Sequence, residues 1–118
     1  MKKRRSLPES CCPPESAALA RRLARPLEGP RAAAELAAFA KAVGHPVRVR
    51  ILRLLARRDA RTCSRIVDEL PLAQSTVSEH LRILRNAGLV RANGKGPRAG
   101  YCIVPSMLRR FRALLDAV

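Results

Sequence analysis

The sequence is poor in negative charge: nine Asp and Glu stand against 24 Lys and Arg, a formal net charge of +15 over 118 residues. A compact fold with that excess repels itself unless a polyanion neutralises it, so nucleic acid is the first partner to consider and an anionic membrane the second. No apolar run approaches the roughly 20 residues that span a bilayer, and the apolar stripes present are needed for a core. The basic start Met1-Lys2-Lys3-Arg4-Arg5 leads into Ser6, Pro8 and Glu9 rather than an apolar segment. Neither a membrane role nor a secretory signal is expected, and the expected location is the cytoplasm. A phosphate-cradling glycine loop is missing, no nucleophile has a plausible base, and the two His lie on different helical segments. Enzymatic chemistry is the weakest reading.

What is present suits one small domain. A chain of this length buries only about 60–70% of its unfolded surface, so a second subunit would help the core. The four cysteines, Cys11, Cys12, Cys63 and Cys102, are not needed as staples in an Ala/Leu/Arg-rich helical chain, and in a reducing compartment they remain thiols. Residues 1–14 join the basic run to Pro8, Pro13 and Pro14 around Cys11-Cys12, the composition of a flexible tail. Residues 15–118 read as the domain.

Within it, Glu15 to Arg25 is helix-forming and is broken by Pro26, Gly29 and Pro30. A second helix over about 31–43 places Leu36, Phe39, Ala40 and Val43 on one stripe. Pro46 suits the first position of a third helix, with Val47, Ile51, Leu54 and Leu55 inward and Arg48, Arg50 and Arg53 mostly on other faces. Thr62 is placed to cap a short helix holding Ile66, Val67 and Leu70, which Pro71 stops. The next helix runs from Gln74 to Ala87, with Val77, Leu81 and Leu84 inward and Gly88 as a left-handed cap. Two short strands, Leu89-Val90-Arg91 and Tyr101-Cys102-Ile103-Val104, flank a basic, Gly-rich hairpin loop over 93–98. A last helix over about 105–117 puts Met107 or Leu108, Phe111, Leu114 and Leu115 on one side and is a natural dimerisation element. The expected fold is mainly α with a small β-hairpin: a winged helix-turn-helix, homodimeric.

Two helices joined by Pro71-Leu72-Ala73 fit a helix-turn-helix, whose second helix enters the major groove with its N-terminal residues on base edges. Gln74 can pair with adenine, Ser75, Thr76 and Ser78 are short enough to bring the backbone close, and Arg82 can reach a phosphate or guanine. Glu79 and His80 belong to the same surface. Lys95 and Arg98 at the hairpin tip would meet phosphate or the minor groove.

The segments Ala42-Val43-Gly44-His45-Pro46-Val47-Arg48-Val49-Arg50-Ile51-Leu52, Leu72-Ala73-Gln74-Ser75-Thr76-Val77-Ser78-Glu79-His80-Leu81-Arg82-Ile83-Leu84 and Ala87-Gly88-Leu89-Val90 strongly resemble the ArsR/SmtB family of metal- and metalloid-responsive repressors, over about residues 31–118. The resemblance is greatest to its arsenite-sensing members. It implies a homodimer on double-stranded operator DNA with an inverted repeat, released when an inducer binds. His45 stands where family members usually carry Asp, with an expected effect on a helix cap. The family's Cys-Val-Cys arsenite motif appears here as Thr62-Cys63-Ser64, with one cysteine, so the usual site cannot be copied.

If the extended piece before Cys63 pairs with the second wing strand, Cys63 is brought toward Cys102. Trivalent arsenic or antimony prefers three thiolates, which Cys63, Cys102 and the doublet Cys11-Cys12 could supply. The last helix has Asp116 but neither His nor Cys, which argues against a zinc site there. Two alternatives stand beside the As(III) or Sb(III) inducer. One is a thiol-redox or persulfide response on the same fold, and the other is a constitutive architectural DNA binder with no inducer.

Overall fold

A computed structural model describes residues 16–57, 61–94 and 99–118, with the side chains of 61–64 excepted. The expected tail, including Cys11 and Cys12, lies outside the described residues, as do Lys95 and Arg98. Six helices and three strands follow in the order α1 (Ala17–Leu23), α2 (Pro30–Val43), α3 (Pro46–Arg57), β1 (Arg61–Thr62), α4 (Cys63–Glu69), α5 (Gln74–Asn86), β2 (Val90–Asn93), β3 (Gly100–Ile103) and α6 (Pro105–Asp116).

The helix ends follow from local chemistry. Ser16 Oγ accepts a hydrogen bond from the Leu19 N–H and so caps α1. Pro30 opens α2 after Gly29, whose φ of 101° suits a residue without a Cβ. At the start of α3 the cap is His45, whose Nδ1 accepts from the Val47 N–H at 3.1 Å. An imidazole nitrogen thus does the work expected of a carboxylate oxygen. The C-terminus of α5 closes as a Schellman motif: Gly88 N–H donates to Arg85 O at 2.9 Å and Leu89 N–H to Leu84 O at 3.1 Å. Gly88 takes φ 85°, and Leu84 and Leu89 are both fully buried.

β3 is central in an antiparallel sheet of order β1-β3-β2. Its register sets Val90 against Ile103 and Arg91 against Cys102 on one side, and Arg61 against Tyr101 and Thr62 against Gly100 on the other. The wing is therefore rooted in a third strand, and Val104 N–H, donating to Leu89 O, ties its base.

The core is a single cluster of Phe39, Ile51, Leu55, Ile66, Leu70, Val77, Leu81, Leu84, Leu89, Ile103, Met107 and Leu114 with smaller neighbours. Two expected stripes are shifted. On α2, Ala32, Phe39 and Ala42 are buried and Ala40 is exposed, with Leu36 and Val43 partly buried against the core. On α6, Leu114 is buried and Leu115 is 57% exposed, so α6 seats Met107, Arg110 and Leu114 on its own chain. Phe39 stacks on Phe111 with ring centroids 5.4 Å apart.

One buried ion pair joins these helices. Arg110, 5% exposed, reaches Glu35 in a two-pronged contact, with Nε and Nη2 each 2.8 Å from a carboxylate oxygen. Its Nη1 also donates to Leu23 O and Arg25 O, and Nη2 to Pro26 O, so one side chain clips the end of α1 and the loop after it onto α2 and α6. Arg110 holds the Glu35 carboxyl below the usual carboxylate range by hydrogen bonding, against the opposing pull of burial. Replacing Glu35 by Ala strands a buried guanidinium, a change that typically costs about 3 kcal/mol or more. The expected outcome is a thermal midpoint lower by roughly 10 °C or more for Glu35→Ala, read by circular dichroism, with helix content retained below the transition.

Candidate nucleic-acid interface

α4, the turn over 70–73 and α5 form the helix-turn-helix. Leu70 N–H donates to Val67 O as α4 ends, Leu72 N–H to Leu70 O across the turn, and Ala73 takes extended backbone as the N-cap of α5. Val77, Leu81 and Leu84, at spacings of four and three, are at most 1% exposed and fasten α5 to the core. The same geometry turns Gln74, Ser75, Thr76, Ser78, Glu79 and Arg82 outward, and all six are exposed. The expected reading surface is therefore one continuous face at the N-terminal half of α5.

Two members of the expected set are not simple projections from it. Arg82 lies along the helix with Nε 2.9 Å from Glu79 Oε2. That hydrogen bond draws the Glu79 carboxyl below its ordinary value. Both side chains are more than half exposed, so the pair is weak and can open toward a phosphate. His80 is half-buried and faces α3: its Nδ1 accepts from Arg48 Nε at 3.1 Å, and its ring lies 4.5 Å from that of His45. Arg48 Nη1 also donates to Lys41 O and Ala42 O at the end of α2.

Arg48 thus joins α2, α3 and α5. A helical position that reads in sequence as one more solvated cation is a structural link, because its guanidinium is within reach of two helix-terminal carbonyls and an imidazole. A Pro-flanked helix start beside a His on the next helix is a weak signal for such a link, and the sequence reading missed it. It also missed Arg110 and Glu35, which lie 75 residues apart.

Among the described residues, Cys63 and Cys102 lie on different elements. Cys63 opens α4 directly after β1, and the expected pairing of that extended piece with β3 is present. In the antiparallel register, however, the step from Thr62 to Cys63 runs from Gly100 toward Ala99, away from Cys102. Cys102 is fully buried in β3. Among the described residues, no group of three or more His, Cys, Asp or Glu is placed to hold a metal ion, and no helix is long and apolar enough to cross a membrane.

A family model described as bacterial regulatory protein, arsR family, matches residues 45–92, from the cap of α3 into β2. Over 76 residues the chain is 41% identical to an HTH-type transcriptional regulator of Methanocaldococcus jannaschii, a match spanning 64% of this chain and 85% of that one. The chain belongs to the ArsR/SmtB family of transcriptional regulators. A similar solved structure is a "possible transcriptional regulator for arsenical resistance", 32% identical with a TM-score of 0.60, covering 65% of this chain and 79% of that one. Another is a homodimeric winged helix-turn-helix DNA-binding domain from Mycobacterium bovis, 30% identical with a TM-score of 0.60, covering 76% of this chain and 86% of that one. In this ArsR/SmtB regulator the match to the family model stops short of α1, α2 and α6, the helices that Arg110 binds together.

The His80 environment has a consequence for pH. Burial first, then the neighbouring His45 and Arg48, lower the His80 pKa from 6.5, against a smaller opposing effect of Glu79. The folded state therefore binds protons less readily than the unfolded chain, so the stability that His80 contributes is complete above pH 6.5 and is lost as pH falls through the lower folded value. Urea midpoints at about pH 7.5 and about pH 5 should differ more for the native chain than for His80→Gln.

Proposed function

We propose that this regulator is a repressor that binds an inverted-repeat operator as a homodimer and releases it when trivalent arsenic or antimony occupies cysteine thiolates. The observation that carries the DNA-binding part is the division of α5 into three buried apolar residues and an exposed polar face that includes Gln74, Ser75, Thr76, Ser78, Glu79 and Arg82. Gln74, Ser75, Thr76 and Ser78 supply base-edge and close backbone contacts, and Arg82 takes a phosphate once it leaves Glu79. Lys95 and Arg98 add charge from the wing. His80 serves from behind by holding α5 to Arg48.

Dimerisation is supported by the exposed apolar residues Leu27, Leu115 and Val118, of which Leu27 and Val118 line a shallow groove between α2 and α6. The homodimeric relative from Mycobacterium bovis supports the same assembly. A two-fold dimer would set the two α5 helices about 34–36 Å apart, the spacing of successive major grooves.

For the inducer, a trivalent metalloid would take three sulfurs from among Cys63, Cys11, Cys12 and Cys102, and the register of β1 on β3 together with full burial makes Cys102 the least suited of the four. The relative named for arsenical resistance points to the same chemistry. A ligand drawn onto Cys63 acts on the first turn of α4, the helix against which α5 packs. Moving α4 would shift α5, so metalloid and DNA oppose each other by reciprocal linkage.

Fluorescence anisotropy with an operator fragment and with random duplex tests both parts. Gln74→Ala should weaken operator binding about tenfold or more and leave random duplex unchanged; equal losses on both would remove the base-reading role. Arsenite or antimonite should release the operator from the native chain and not from Cys63→Ser. Release by a disulfide-forming oxidant with no response to arsenite would favour the redox alternative. Unaltered affinity under both, with all four cysteines replaced, would favour the constitutive binder.

A further inference from the structure

A cleft of about 450 Å³ opens between α1, the C-terminal end of α5, β2 and the start of α6. Three guanidinium groups line it, Arg22, Arg85 and Arg91, each from a different element, and the lining contains no carboxylate. Among the described residues, Arg85 and Arg91 make no ion pair or side-chain hydrogen bond.

Arg22 is held in place from behind: its Nε is 3.5 Å from Glu35, and its guanidinium carbon is 5.5 Å from the Phe39 ring centre. At Gly88 a Cβ would come within 3.2 Å of Arg22 Nη1 and 3.1 Å of Met107 Cε, so the missing side chain is what leaves this corner of the cleft open. The lining also includes the apolar residues Leu19, Val90, Val104 and Met107.

Arg85 and Arg91 share this lining without a counterion, an arrangement best tolerated where an anion lies between them, and arginine forks suit a carboxylate or phosphate. The carbonyls at the end of α5 would otherwise repel an anion, but the Gly88 and Leu89 N–H groups already occupy two of them. Along the helix axis Arg85 lies about 16 Å from Gln74, well removed from the base-reading turn.

We propose that this cleft binds a small organic anion, a carboxylate with a short apolar chain. The head group is taken by Arg85 and Arg91 with Arg22, and the chain lies on Leu19, Val104 and Met107. The cleft lining contains neither Cys63 nor Cys102 and none of the exposed residues at the N-terminal half of α5. Because it touches both the wing and the helices of the α1/α2/α6 half, an occupant would bear on both halves of the molecule.

Isothermal titration of the full chain with octanoate, acetate and inorganic phosphate tests the site, alongside the Arg85→Gln and Arg91→Gln variants. Circular dichroism checks that each variant keeps its fold. Octanoate should bind saturably at one per subunit, acetate and phosphate about tenfold or more weakly, and each variant should lose about tenfold for octanoate. Absence of saturable octanoate binding, or binding unchanged in both variants, would overturn the proposal. Phosphate binding as tightly as octanoate would refute the organic character of the ligand. Should the variants lose DNA affinity while the native chain ignores octanoate, the two arginines are DNA contacts and the proposal fails, with the reading of α5 left intact.

Discussion

Everything the molecule can do with DNA depends on the seating of α5. Three apolar side chains, Val77, Leu81 and Leu84, fix which way the helix faces, and a one-residue slip would turn the polar set toward the core. Position along the axis is fixed as well, because the Schellman closure at Gly88 buries Leu84 against Leu89 and leads directly into β2. The turn that ends α5 leads straight into β2, so the base of the wing is placed by the same closure.

A second layer of constraint is polar and uses arginine in two distinct ways. In the DNA-facing half, Arg48 ties the end of α2 and the start of α3 to His80 on α5, with His45 stacked beside it as the α3 cap. In the other half, Arg110 gathers α1, α2 and α6 around Glu35. Apolar packing alone would leave helix ends with unsatisfied carbonyls at both places, and each guanidinium supplies the missing donors in a fixed planar array.

The helical parts of the fold were legible because apolar spacing and breakers agree: Pro30, Pro46, Pro71 and Gly88 all fall at the ends that they signal. The exposed polar face of α5 was legible for the same reason, since a buried stripe defines its exposed complement. What escaped was non-local. That β1 joins the wing could be expected, but its register, which turns Cys63 away from Cys102, depends on a two-residue pairing that no periodicity reports. The inward Arg48 and Arg110 escaped because an arginine reads as a surface cation until its partners, 32 and 75 residues away in sequence, are known. The shift from Ala40 to Ala42 on α2 escaped because alanine fits either face.

The same distinction bears on the charge with which the sequence opens. A net charge of +15 suggests a uniformly basic body, yet the arginines differ by what surrounds them. Arg110 is neutralised inside the fold, Arg48 is committed to carbonyls and an imidazole, and Arg22 shares Glu35. Arg82 is held by a carboxylate that an incoming phosphate can displace, whereas Arg85 and Arg91 face a cleft with no acid in it. Counterion release on binding DNA scales with the phosphates actually neutralised rather than with total charge. The sum of basic residues therefore overstates what the exposed face of α5 offers to DNA.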